Sequence, residues 1–111
     1  MPTVARQDPR FRKDMWRGPA WVHVNYFVIR GLQRYGHAKE AETLRQKTLQ
    51  AVADWYGRTG VLWEFYDPDG QTPPADLDRK GRLAAGSGLA PIGDYNVTAA
   101  LYADLLMRPV P

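Results

Sequence analysis

The sequence predicts an all-α fold, part of an α/α toroid made of about three helices and long loops. Three observations predict it. Residues 20–35 are apolar on nearly every helical face, residues 37–58 are amphipathic after a single-glycine break, and a further apolar helix follows residue 94 beyond a Gly- and Pro-rich loop. At 111 residues the chain makes one domain or less, because folding at this length buries only a modest share of surface.

Residues 1–18 hold Pro2, Pro9 and Gly18 without a sustained period and read as an extended loop. Pro19 fits the first turn of a helix, and Gly36 supplies its stop. Between them Trp21, Val22, Val24, Tyr26, Phe27, Val28, Ile29, Leu32 and Tyr35 leave no polar face, so this helix expects burial on all sides. In the next helix Ala41, Leu44, Thr48, Val52 and Trp55 recur at three- and four-residue steps, with Lys39, Glu40, Glu42, Arg45 and Lys47 on the other faces. An inner helix followed by an outer one is the repeating unit of a toroid. Residues 61–66 form a short apolar run, a brief strand or an extended segment, closed by the turn Asp67-Pro68-Asp69-Gly70. Residues 71–93 are a long loop. The third helix has Asp94 as its expected N-cap, Val97, Leu101 and Leu105 on one face, and Pro109 at its end.

Composition excludes several functions. With no cysteine there is no disulfide, thiol catalysis or cysteine-ligated zinc. A net charge of +3 divides between Arg6/Arg10/Arg12/Lys13/Arg17 and Arg79/Lys80/Arg82, each group beside acidic neighbours, and no nucleic-acid module accompanies it. A solvated surface is expected, not a nucleic-acid footprint. No apolar stretch is long enough to span a bilayer, and residues 1–14 lack the apolar core of a signal peptide. No membrane partner and a soluble cytoplasmic location are therefore expected.

Two clusters hold chemistry. In the first, Trp16, Arg17 and Trp21 gather at a helix entrance; indole faces stack on sugar rings, and an Arg fork donates paired hydrogen bonds to hydroxyls or carboxylates. The same residues also fit two core indoles and a surface charge. The second is Glu64, flanked by Trp63 and Phe65, where apolar surroundings raise a carboxylate pKa and suit it to proton transfer. A surface Glu paired to an Arg fits that position equally well. Asp67-Pro68-Asp69-Gly70 lacks the ligand ladder of a calcium loop, and His23 and His37 are too differently placed to share a metal, so no metal or cofactor is expected. Ser87 between Gly86 and Gly88 lacks the strand-to-helix setting of a nucleophile elbow.

The ordered set Trp16-Arg17-Gly18-Pro19-Ala20-Trp21, Val24-Asn25-Tyr26-Phe27, Arg30-Gly31-Leu32, Trp63-Glu64-Phe65-Tyr66-Asp67-Pro68 and Asp94-Tyr95-x-x-Thr98-Ala99-Ala100-Leu101 resembles the six-hairpin glycosidases. Within them it is most similar to the mannosylglycerate and glucosylglycerate hydrolases and their kin in glycoside hydrolase family 63. The resemblance covers nearly the whole chain. It implies an (α/α)6 toroid of which residues 1–111 are a C-terminal portion of one catalytic domain, and inverting hydrolysis of an α-glycoside in a small sugar conjugate. It further implies Glu64 as general base, a sugar site lined by Trp16, Arg17 and Trp21, with Asn25 and Tyr66 beside them, and a small carbohydrate as partner. A complete toroid needs about a dozen helices. The acid-bearing part is thus expected elsewhere, and the chain alone is expected to be inactive.

Two departures bear on the aglycone and on loop order. Where the family carries an aromatic-Ser-Trp-Thr run this chain has Tyr95-Asn96-Val97-Thr98, and the 71–93 loop is longer than the family's connection. Two other readings are a carbohydrate-binding surface without hydrolysis and a fragment that associates with itself, or with the rest of a barrel, through an uncovered apolar helix.

Overall fold

The computed structural model describes residues 1–79 and 91–109. The chain folds as three α-helices and one short 3-10 turn, with no strand among the described residues: α1 (Val22–Arg34), α2 (Ala38–Thr59) and α3 (Asn96–Met107). The all-α expectation holds. Lys80, Arg82 and the Gly86, Ser87, Gly88 run lie outside the described residues.

Helix α1 starts later than Pro19 because Ala20 has another partner. Its N–H donates to the Tyr66 carbonyl at 2.8 Å and the Tyr66 N–H returns the bond at 2.9 Å, an antiparallel bridge that holds Ala20 extended. Pro19 itself is fully buried. The helix stops are those the glycines announce: Gly36 at φ 84° separates α1 from α2, and Gly60 at φ 68° ends α2, left-handed values that cost glycine nothing. Asp94 does not cap α3. It sits before the helix at φ 50°, Tyr95 occupies the N-cap without a side-chain cap bond, and the Tyr95 N–H is held by the Leu62 carbonyl at 2.9 Å.

One face of each helix meets the others. Val22, Val52, Trp55 and Tyr66 form one buried cluster, and Ile29, Ala41, Leu49 and Leu105 a second. Each large apolar side chain buried in this way contributes about 1.5–3 kcal/mol. The α3 face is Thr98 and Leu105, with Leu101 partly buried, whereas Val97 is exposed. Nor is α1 buried on all sides: Val22, Asn25 and Ile29 face inward while Phe27 is 68% exposed. With extents of 47 × 33 × 20 Å the molecule is a slab. Twenty ångströms is about two helix diameters, so a helix in it is covered from one side only.

Arg45 corrects the pattern read for α2. The sequence puts it on the solvent side, yet it is buried, its Nε donating to the Leu105 carbonyl at 2.7 Å and one terminal nitrogen to Glu42 at 3.0 Å. It satisfies the open carbonyls near the end of α3, which a helix of its own cannot do. Asp104 ties α3 to α1, accepting from the Tyr26 hydroxyl at 2.9 Å and from Arg30 at 2.7 Å.

Candidate active site

The floor of the site is a third buried cluster, Trp21, Phe65 and Leu77, with Met15 and Val24 packed against it. It joins three pieces of chain: the entrance to α1, the 61–66 segment and the loop around residue 77. Why the first piece takes its shape is visible at Gly18, where an added Cβ would run into the Arg12 carbonyl oxygen and the Phe11 ring. Only glycine lets the chain approach itself so closely. Met15 is left-handed at φ 32°, a conformation costing on the order of 1–3 kcal/mol without a glycine. It is held from both sides, its N–H donating to the Asp78 carbonyl at 2.9 Å and its carbonyl accepting the Trp21 indole N–H at 2.7 Å.

The consequence is a pair of stacked indoles. Trp16 and Trp21 lie 3.9 Å apart between ring centroids and 9° from parallel. Trp21 is 1% exposed and Trp16 49%, so one indole is a core anchor and the other a platform. Arg17 does not reach inward. Its guanidinium forks onto both oxygens of Asp14, at 2.7 and 2.6 Å, on a largely exposed surface. A pair of that kind is worth only about 0–1 kcal/mol and can be exchanged for a ligand anion.

Glu64 combines the two alternatives that its sequence context leaves open. Its residue is 3% exposed, so it is not a surface carboxylate, yet it is paired to an arginine: Arg79 Nε donates to Oε2 at 2.9 Å. The Ile92 N–H donates to the same oxygen at 3.1 Å, and the Glu64 N–H donates to the Ile92 carbonyl at 2.9 Å. Arg79 arrives because the 14–15 segment bridges to Asp78, one residue before it. The sequence had placed it merely in a loose basic group.

Asn25 and Tyr66 lie apart from this floor. The Asn25 amide donates to Thr48 Oγ1 at 3.0 Å between α1 and α2, and the Tyr66 hydroxyl accepts the Trp63 N–H at 3.0 Å. Burial pushes the Tyr66 phenol up to about 12, against the smaller opposite effect of that bond. Both residues line a different cleft of about 360 Å³, between α1, α2 and the 67–70 turn. Of the two, Tyr66 is tied to the entrance of α1 through its backbone bridge to Ala20.

Reasoning from sequence took His23 only as a hydrogen-bonded core or cleft histidine, not as a site residue. It stands edge-on to both indoles, 5.3 Å from Trp21 and 5.8 Å from Trp16, and burial lowers its pKa while the Glu64 charge opposes that. Sequence reasoning missed Asp67, read as a plain turn residue. Asp67 is buried and accepts four hydrogen bonds, from the Asp69, Gln71 and Thr72 N–H groups and from Lys13 Nζ at 2.9 Å. Desolvation raises its pKa, but these bonds outweigh it and hold the carboxyl below the ordinary range. Thr98 is the third, its buried hydroxyl donating to the Trp63 carbonyl at 2.8 Å and fixing the segment to α3. Among the described residues no cluster of three or more His, Asp or Glu is placed to hold a metal, and no helix is long and apolar enough to cross a membrane.

Comparison with known proteins sets this geometry in a family. The model of the mannosylglycerate hydrolase MGH1-like glycoside hydrolase domain matches residues 1–86. A mannosylglycerate hydrolase of Rubrobacter radiotolerans is 38% identical over 53 residues, 48% of this chain and 11% of that protein. One of Thermus thermophilus is 36% identical over 69 residues, 61% of this chain and 15% of that protein. Alpha-glucosidase 2 of Arabidopsis thaliana is 33% identical over 61 residues, 47% of this chain and 8% of that protein. The chain therefore spans only a small part of the length of the curated relatives it matches. No solved structure matches it.

Proposed function

Because the chain belongs to the mannosylglycerate hydrolase MGH1-like glycoside hydrolases, we propose that it forms the base-bearing part of an inverting α-glycosidase acting on a small sugar conjugate such as mannosylglycerate or glucosylglycerate. The observation that carries the reading is Glu64, a carboxylate 3% exposed, one residue before the aromatic floor that supports the tryptophan pair. In the reaction a water attacks the anomeric carbon from the face opposite the leaving group. Its oxygen forms the new bond, its proton passes to Glu64, and the old C–O bond breaks as an acid protonates the departing oxygen. The sugar stacks on Trp16, which Trp21 holds from beneath, and Arg17 turns from Asp14 to a carboxylate of the aglycone. Asn25 and Tyr66 stand behind the site and support it, Tyr66 through its bridge to Ala20.

The acid comes from outside these 111 residues, from another part of a complete α/α barrel. Three carboxyls favour that view by being unsuitable. Asp8 is held down at about 2 by the Arg10 guanidinium, Asp67 is held low against its burial by its donors, and Asp104 is held low by the Tyr26 hydroxyl and then Arg30. An acid that is ionised at neutral pH has no proton to give. The base and acid carboxyls must stand about 6.5–9.5 Å apart to admit the water.

A chimera tests this directly. The stretch of the Rubrobacter enzyme that matches this chain is replaced by residues of this chain, and the hybrid and the isolated chain are assayed on mannosylglycerate. Turnover by the hybrid alone, with the freed sugar appearing first as the inverted anomer by NMR, is expected. Release with retained configuration, or hydrolysis by the chain alone, sinks the reading. The exposed Phe27, Leu106 and Met107 favour a second reading, docking onto further helices or onto a second copy. Light scattering of the isolated chain separates a monomer from the self-associated form.

A further inference from the structure

His23 has a surplus of chemistry that neither packing nor the proposed base accounts for. It is the second residue of α1, half-buried, with its ring standing 77° and 82° from the planes of Trp21 and Trp16. Among the described residues its ring nitrogens make no hydrogen bond, and they are not among the buried polar atoms left without a partner. They are therefore free to take a partner from outside. Two other groups stand near the ring: the half-exposed indole of Trp16, 5.8 Å away, and Glu64, close enough for its charge to act on the imidazole.

We propose that His23 contacts the substrate, hydrogen-bonding a ring hydroxyl of the sugar that stacks on Trp16. The inference rests on the reading of Trp16 and Glu64 as a glycosidase site and adds to it the residue that reads hydroxyl orientation. Stacking on an indole recognises the apolar face of a sugar and is nearly blind to which hydroxyls point where. Orientation has to be read by a directional group. Burial keeps the imidazole neutral at neutral pH, so it presents one N–H donor and one lone-pair acceptor, the same pair that a hydroxyl offers in return. Arg17, with donors only and Asp14 already on its fork, suits an anionic aglycone better than a hydroxyl.

The chain carries its own control, since its two histidines differ in place: His37 is exposed at the α1–α2 junction, away from both indoles. Imidazole and indole resonances of the full chain are followed by NMR during titration with mannosylglycerate and, separately, glucosylglycerate. His23 and Trp16 are expected to shift together with one affinity for at least one of the two sugars while His37 stays still. His23→Phe keeps the edge contacts but has no nitrogen, and is expected to bind about tenfold more weakly, the scale of one directional hydrogen bond. His23→Gln restores a donor and an acceptor and recovers most of that loss. Should Trp16 respond while His23 does not, or should His23→Phe bind like the parent, the role of His23 falls and the sugar site stands. If neither residue moves with either sugar, both are overturned.

Discussion

Glu64 and Asp67 stand three residues apart on one segment, and both carboxylates are buried, but they are held by different kinds of partner. Asp67 accepts three backbone N–H groups of the turn that follows it, together with Lys13 from 54 residues away, so each oxygen is engaged and most of its donors come from local chain. Glu64 is held at Oε2 by groups far along the sequence, Arg79 and the Ile92 N–H. One carboxylate builds its own turn. The other waits on loops that must first be brought to it, and its charge acts on the imidazole of His23. The two buried charges thus differ in their surroundings: most donors to Asp67 belong to its own turn, whereas Glu64 depends on other segments and acts on an imidazole that makes no hydrogen bond among the described residues.

The comparison can be broken by removing each carboxylate in turn. Asp67→Ala leaves three N–H groups and Lys13 without their acceptor, and is expected to cost about 3–5 kcal/mol, enough to unfold a chain of this size in a urea titration. Between the two residues lies Tyr66, whose phenol titrates near 12 when folded. Its folded pKa is raised, so the stability it contributes is full below pH 10 and is lost as pH rises through about 12; the loss is on the order of 3 kcal/mol. Absorbance of tyrosinate should show one of the six tyrosines ionising only with unfolding. Smallest is the effect of Glu64→Gln on stability, about 1 kcal/mol by the same urea titration, because the amide keeps its shape and Arg79, partly exposed, turns to water. A loss from Glu64→Gln as large as that from Asp67→Ala would erase the distinction.

Acid sharpens it further. Asp67 has a depressed folded pKa, so its contribution is complete above its unfolded value near 3.8 and disappears as pH falls through the folded one. Asp67→Asn should flatten the acid limb of a stability-versus-pH curve.

Local features were legible in the sequence, and distant ones were not. The boundary between α1 and α2 and the end of α2 could be read because Gly36 and Gly60 adopt the positive φ their position demands. The start of α3 could not, since Asp94 is bent away by the tie between Tyr95 and the Leu62 carbonyl. Arg45 reads as a surface charge because its acceptor lies 60 residues away at the end of α3. For the site, the motifs from Trp16 to Glu64 were read together through the resemblance, and the structure shows the two indoles stacked and Glu64 buried. Arg79 and His23 escaped because nothing in local spacing tells that the Asp14–Asp78 bridge and the entrance of α1 converge on one carboxylate.

The most direct measurement of the central claim is turnover of mannosylglycerate by the chimera carrying Glu64→Gln. If Glu64 is the base, turnover falls at least about 100-fold while sugar affinity is kept. Unchanged turnover, or a loss confined to affinity, would contradict it.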